Sequence, residues 1–146
     1  MFWNTHLAAG LIIGKLTGHY DAALIGSFAA DIDHLIPIIK NKLFLHPFLL
    51  LKSTLDESDT YRNERHILHN VLVWGGLSAV LSLIDARWGM IFALAYFIHL
   101  VFDALDGAKL YPFFPNKKIN LKGPIGYASL SEFIFSIALF GLFFAL

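Results

Sequence analysis

The chain has 146 residues, of which 57% are hydrophobic and 15% aromatic, and its mean hydropathy is +0.63. A soluble domain of this size rarely carries so much apolar side chain, so the sequence predicts one membrane-embedded domain over residues 1–146 whose excess apolar surface faces lipid. Eleven basic side chains balance eleven acidic ones, which argues against nucleic acid as an electrostatic partner. Because cysteine is absent, any metal must be held by His nitrogen and carboxylate oxygen.

The first predicted helix takes Asn4 or Thr5 as its N-cap and ends near Thr17–Gly18. It is short for a full membrane span. Small residues along it allow neighbouring helices to approach closely, at Ala8, Ala9, Gly10 and Gly14. We therefore expect this helix to lie buried among others.

The second predicted segment, Ala22 to Ile39, is apolar except for the motif Asp31-Ile32-Asp33-His34. Pro37 disfavours helical geometry at the residue before it, so three side chains that can bind a metal stand at a helix end. Residues i and i+2 point apart on a helix, and Asp31 and Asp33 can face one ion only if the helix breaks there. The alternative is that Asp31 only caps or ends the helix.

The apolar run Leu43–Leu51 is too short to cross a membrane. It predicts an interfacial or re-entrant piece that is broken at His46–Pro47. A third helix is predicted from about His66 to Ile84 and a fourth from Trp88 to Leu105, with the tight turn Asp85–Arg87 between them. These two helices are expected to form an antiparallel hairpin.

The last predicted helix, about Ala128 to Leu146, carries one charge, Glu132, and follows a loop from Ala108 to Pro124. This loop and the segment Lys40–Arg65 are rich in Lys and Arg, so the positive-inside rule places both in the cytoplasm. The sequence thus predicts an all-α, multi-pass integral membrane bundle of about five helices. With this orientation, nine ionisable side chains fall near cytoplasmic helix ends: His6, Asp31, Asp33, His34, His66, His69, His99, Asp103 and Glu132.

His99 and Asp103 lie within the apolar fourth helix, where an imidazole and a carboxylate are costly. Spaced i and i+4, they share one helix face and can close on one ligand, and a metal ion fits that geometry. The alternative is a core hydrogen bond between the two side chains. The other seven ionisable groups at the same depth favour a shared metal site.

Six motifs follow one another along the chain: Asn4-Thr5-His6, Ala30-Asp31-Ile32-Asp33-His34, Glu64-Arg65-His66-Ile67-Leu68-His69-Asn70, His99-Leu100-Val101-Phe102-Asp103, Leu110-Tyr111-Pro112-Phe113-Phe114 and Ser131-Glu132-Phe133. In this order they resemble the motifs of the membrane-bound metal-dependent hydrolase family of bacteria and archaea, the YdjM-like inner-membrane proteins. Glu64 stands where the family has the first His of its third motif, His66 stands where Gly is usual, and Asn70 replaces Ser. More distantly, the order is similar to that of zinc-dependent phospholipase C and related single-strand nucleases, which hydrolyse phosphodiesters.

The residues and the resemblance together indicate that the nine ionisable side chains are metal ligands. Asp33, Glu132 and Arg65 are expected to act in catalysis. Asp103 or Asp33 would bridge two ions, and Arg65 is either a topology anchor or a phosphate ligand. Imidazole and carboxylate suit zinc, and suit manganese or iron(II) less selectively, with one or two ions bound.

The expected function is that of a metal-dependent hydrolase of the cytoplasmic membrane whose site faces the cytoplasm. It would cleave a phosphoester or a lipid-headgroup-type bond through a metal-activated water, with membrane lipid as partner and candidate substrate. Two other classes stay open. One is a non-catalytic metal carrier or sensor, and the other is a structural membrane module in which the polar groups pair with one another.

Overall fold

The computed structural model describes residues 1–55 and 67–146. Over these ranges the chain forms a short 3-10 helix at Leu43–Leu45, seven α-helices and no β-strand. The α-helices are α1 (Trp3–Thr17), α2 (Tyr20–Phe28), α3 (Ile32–Lys40), α4 (Pro47–Leu55), α5 (Val71–Ile84), α6 (Ala86–Leu105) and α7 (Leu130–Ala145). The all-α class is confirmed, but the expected number of about five helices is too low. The second predicted segment divides into two helices, and the apolar run after it contributes α4.

Helix α1 begins earlier than the sequence predicted. Phe2 occupies its N-cap position without a side-chain cap, and Thr5 is already buried inside the helix. The assignment of Asn4 or Thr5 as the cap is therefore wrong. The end is where the sequence placed it, because Gly18 adopts a left-handed conformation with φ 76° and its N–H donates to the Gly14 carbonyl.

The axes of α2 and α3 differ by 52°. The chain turns at Ala29–Asp31, where the amides of Asp31 and Asp33 donate to carbonyls only three residues earlier. Pro37 lies inside α3, so the expected loss of helical geometry before Pro37 is wrong. The break falls earlier, at the motif that carries the ionisable side chains.

Helix α6 lies at the centre and packs against α1, α2 and α5, while α7 packs on α1. Small residues let α2 approach α6 closely. At Gly26, an added Cβ would lie only 2.5 Å from the Phe92 carbonyl oxygen. Ala22 and Ala23 pack beside it against Ile91 in a core cluster. This contact fixes the distance between α6, which carries His99 and Asp103, and α2, which ends three residues before Asp31.

Helix α5 begins at Val71, later than the predicted start at His66, because Asn70 caps it by accepting a hydrogen bond from the Leu72 amide at 2.7 Å. The Asn70 side chain also donates to the Phe114 carbonyl of the long loop. His69 therefore precedes the helix and is not part of it. Residues 56–66 lie outside the described part of the chain, and among them are Glu64, Arg65 and His66.

Among the described residues, α6 is the one helix that is by itself long and apolar enough to cross a membrane, and α2 with α3 would be a second if the bent pair counts as one span. Helices α5 and α7 are apolar but shorter. Their outer faces expose large apolar side chains, among them Val80, Leu83, Phe133 and Ile137.

Candidate metal centre

Six ionisable side chains of the described residues, from five parts of the fold, converge at α6. They are His6 of α1, Asp31 at the bend, His34 of α3, His69 before α5, and His99 and Asp103 of α6. They form three overlapping groups, in each of which the ligand atoms lie within 4.8 Å of one another: His6 with Asp31 and His99, Asp31 with His34 and His69, and His69 with His99 and Asp103.

Asp103 stands at the middle of the cluster and is 1% exposed. Its Oδ2 lies 3.3 Å from His99 Nε2 and 3.1 Å from His69 Nε2. Its Oδ1 lies 3.5 Å from His6 Nε2. The pair at i and i+4 on α6 therefore meets as the spacing predicted, and two further imidazoles reach the same carboxylate from α1 and from the segment before α5.

The His99 ring has a defined tautomer. Its Nδ1 lies 2.7 Å from the carbonyl oxygen of Ser27 in α2, and because a carbonyl only accepts, Nδ1 must carry the hydrogen. In the neutral ring, Nε2 then carries a lone pair that faces the cluster. The ring of His6 stacks on it, with centroids 3.7 Å apart and planes 16° apart.

Asp33 contacts His69 on the side of the ring that faces away from the cluster. Asp33 Oδ2 lies 3.3 Å from His69 Nδ1 and accepts a hydrogen bond of 2.7 Å from the Leu68 amide. The Nε2 of His69 faces Asp103. Asp33 therefore contacts Nδ1 of His69, the ring nitrogen that faces away from the cluster. Asp33 belongs to none of the three groups in the described residues.

The donor set fits a divalent cation. Within the described residues, both ring nitrogens of His6 and the Nε2 of His99 are buried with no hydrogen-bond partner. A buried nitrogen without a partner is costly, and a lone pair on Nε2 of either ring would face an oxygen of Asp103 at 3.3 to 3.5 Å. A cation among imidazole and carboxylate ligands relieves both problems, and this chemistry suits zinc.

Within the part of the chain that the structure describes, two residues of the cluster are partly exposed to solvent and four are not. His6, His69, His99 and Asp103 are at most 1% exposed, whereas the side chains of Asp31 and His34 are 27% and 29% exposed. An external molecule would therefore approach the cluster past these two residues, at the start of α3.

A family model with the description "YdjM inner membrane protein" matches residues 1–146. The chain belongs to the YdjM inner membrane protein family. It is accordingly an inner membrane protein, as the resemblance of the motifs implied. The family description gives a location and names no reaction. Searches of curated proteins and of solved structures found no match to the chain.

Glu132 of this YdjM-family chain lies outside the three groups. It is 2% exposed and accepts hydrogen bonds from the amides of Phe2 at 2.5 Å and Ala128 at 2.8 Å. It joins the start of α1 to the start of α7. The predicted site residues Arg65 and His66 lie outside the described part of the chain, so their roles stay predictions.

The other two histidines of the described residues lie apart from the cluster. His19 is at the N-terminal end of α2, at the far end of that helix from Asp31, and His46 lies exposed between the 3-10 helix and α4. Neither belongs to any of the three groups found in the described residues.

Three contributors to the site have little or no signal in the sequence. Ser27 acts through its backbone carbonyl, which any residue would offer. Tyr96, fully buried, donates its hydroxyl hydrogen to the Leu68 carbonyl. Asp106 is fully buried and lies 2.6 Å from the Met1 amino group, which also contacts Asp103 at 2.7 Å. Asp106 follows Asp103 by three residues, about one helical turn, and this spacing is the sequence signal by which Asp106 could have been predicted.

Proposed function

We propose that this protein is a metal-dependent hydrolase of the cytoplasmic membrane that cleaves a phosphoester or a lipid-headgroup-type bond. The observation that supports it best is the convergence of His6, His69 and His99 on Asp103, with one ring nitrogen of His69 and of His99 already engaged by a supporting group. Such an arrangement is typical of metal ligands, whose outer nitrogen is held by a carboxylate or a carbonyl.

The same contacts suggest how two ions would be shared. Because Nδ1 of both His69 and His99 is engaged, each of these rings offers a single nitrogen. His6 and His99 would then hold one ion, and His34 and His69 the other. Asp31 belongs to the groups of both pairs and Asp103 faces both, so these two carboxylates would help to hold both ions.

Ions bound there would supply a water with a pKa of about 7 and would stabilise both the attacking and the leaving oxygen of an in-line phosphoryl displacement. The protein's own groups hold the ligands in place. Ser27 orients His99, Asp33 orients His69, and Glu132 fixes the start of α1, one turn before His6. Arg65 stays a candidate phosphate ligand. The partly exposed side at Asp31 and His34 would admit the substrate.

The proposed topology is multi-pass, with the two basic segments in the cytoplasm. It is supported by the length and apolar character of α6, and by the position of His99 and Asp103 in the last two turns of that helix. In this orientation the cluster lies at the headgroup level of the cytoplasmic leaflet. Lipid headgroups are then the phosphoesters nearest to it.

The test is elemental analysis of protein purified in detergent, followed by hydrolysis of bis(p-nitrophenyl) phosphate. Wild type should contain zinc or a related divalent ion and release nitrophenol. His99→Ala should lose both properties, while the matched control His46→Ala should keep both. Bound metal without hydrolysis would favour a carrier or sensor. Protein that takes up no metal would indicate a structural module.

A further inference from the structure

A crevice of about 370 Å³ lies between α2, α5 and α6. Apolar side chains form nearly all of its surface, among them Ile25, Ile32, Leu68, Leu77 and Phe92. We refer to it as the apolar slot. Its volume lies in the range of about 300–1,000 Å³ that is usual for small-molecule sites. Ile25 and Leu77 are about half exposed, so the slot is open to the outer surface of the bundle.

One end of the slot adjoins the metal cluster. Ile32 lies between Asp31 and Asp33, and Leu68 immediately precedes His69. The two lining residues are joined through Asp33, because the Leu68 amide donates to Asp33 Oδ2 at 2.7 Å and Ile32 precedes Asp33 in the chain. This end of the slot therefore lies at the start of α3 and beside the segment that leads into His69.

The slot extends from the cluster towards the middle of the apolar helices. Phe92 and His99 belong to the same helix and are seven residues apart, which corresponds to about 10 Å along its axis at 1.5 Å per residue. Ile25 lies seven residues before Ile32 in the same direction. The slot is thus an elongated apolar space. The charged residues of the cluster lie near one end, and none of the lining residues is charged.

We propose that the substrate is a phosphorylated lipid, and that the slot holds the part of its hydrocarbon chain nearest the phosphate. This inference rests on the proposed function and adds the substrate class. A phosphate held at the cluster would leave its attached chain near Ile32 and Leu68, the lining residues that adjoin Asp31 and His69 in the chain. A water-soluble phosphoester would leave the slot unused. In the hydrolysis, water gives its hydroxyl to phosphorus and its proton to the departing alcohol oxygen, so no further reactant is needed.

Photolabelling tests chain binding without requiring turnover. The probe is dodecyl phosphate with a diazirine at mid-chain, applied to the zinc-loaded full chain in detergent. The matched dodecanol diazirine shows how much labelling comes from the chain alone. We expect labelled peptides from the slot faces of α2 and α5, with about a tenfold excess for the phosphate, the ratio that corresponds to 1.4 kcal/mol.

Leu77→Trp fills the slot without touching the cluster and should remove most of the excess labelling. Leu83→Trp places the same side chain on the same helix, at a position that is 88% exposed and outside the slot, so it should label like wild type. Ile25→Trp fills the slot from α2 and should reduce the labelling in the same way. It replaces Leu77→Trp as the test if that variant does not fold. Zinc is measured in every sample.

Two results would overturn the inference while the proposed function stands: zinc-loaded protein labelled equally by the alcohol and the phosphate, or labelling that both slot variants leave unchanged. Equal labelling by the alcohol would mean that the slot takes up bulk lipid chains. Protein that binds no zinc would contradict the proposed function, and the inference would fail with it. Phosphate-dependent labelling that the slot variants abolish supports the inference, whether or not hydrolysis has been detected.

Discussion

Replacing Asp33 by asparagine should weaken zinc binding by about 10- to 100-fold without abolishing it, the range usual for groups that orient a metal ligand. The contacts of Asp33 explain this size. Its Oδ2 lies 3.3 Å from His69 Nδ1 and accepts from the Leu68 amide. An Asn side chain keeps an oxygen for the amide but loses the charge that strengthens the contact with His69. The expected loss corresponds to about 1.4 to 2.8 kcal/mol of binding free energy.

The assay is competition for zinc between the detergent-purified protein and a chromophoric chelator. Asp21→Asn is the matched control, because Asp21 is an exposed carboxylate at the other end of α2 that accepts a hydrogen bond from Trp88 Nε1 at 2.7 Å. It should bind zinc like wild type. His99→Ala removes a ligand and should lose more affinity than Asp33→Asn.

Either of two results would refute the reasoning. If Asp33→Asn loses as much affinity as His99→Ala, Asp33 is itself a ligand, in the bridging role that the sequence motif allowed. If its affinity equals that of wild type, the contact with His69 does not contribute to metal binding. A fall in the Asp21→Asn control would mean that the assay reports general destabilisation.

Three further predictions concern the fold around the site. Glu132→Gln places an amide group beside the Phe2 and Ala128 amides and should lower the free energy of unfolding by about 1–3 kcal/mol. A denaturant titration in detergent measures this, and the zinc content should stay unchanged. Loss of zinc would instead make Glu132 a ligand. Gly26→Ala should cost about 1–3 kcal/mol, because its Cβ would lie 2.5 Å from a carbonyl oxygen of α6. The control Gly75→Ala meets no atom within 4 Å and should be neutral or stabilising by up to about 1 kcal/mol; equal effects would contradict the close packing of α2 on α6. Reporter fusions should place Lys118 in the cytoplasm and Ala86 outside, and the reverse pattern would remove the topology from our proposal.

Local sequence was sufficient for the features that a single helix determines. The spacing of His99 and Asp103 placed both on one face of α6, and their ligand atoms do meet. The end of α1 was predictable because Gly18 adopts the left-handed conformation that glycine tolerates best. The start of α5 was predicted too early, although Asn70, whose side chain accepts from the Leu72 amide, is a residue type that favours N-cap positions.

The sequence could nominate both acids of the Asp31-Ile32-Asp33 motif but could not assign their roles. That assignment depends on the bend at Ala29–Asp31, which directs Asp31 towards His6 and His99 and turns Asp33 to the outer nitrogen of His69. A bend of this kind is decided by how α2 and α3 pack on their neighbours. Pro37, the visible helix-disfavouring residue, lies inside α3.

By itself, then, the sequence determined the membrane class, the helical class and the residues able to bind a metal, because hydropathy and i, i+4 spacing are local properties. Only the tertiary structure decided which of those residues meet, that the Ser27 carbonyl sets the tautomer of His99, and that an apolar slot begins beside Leu68. These features arise where different segments come into contact, and a backbone carbonyl or an empty volume between helices has no residue type by which it could be predicted.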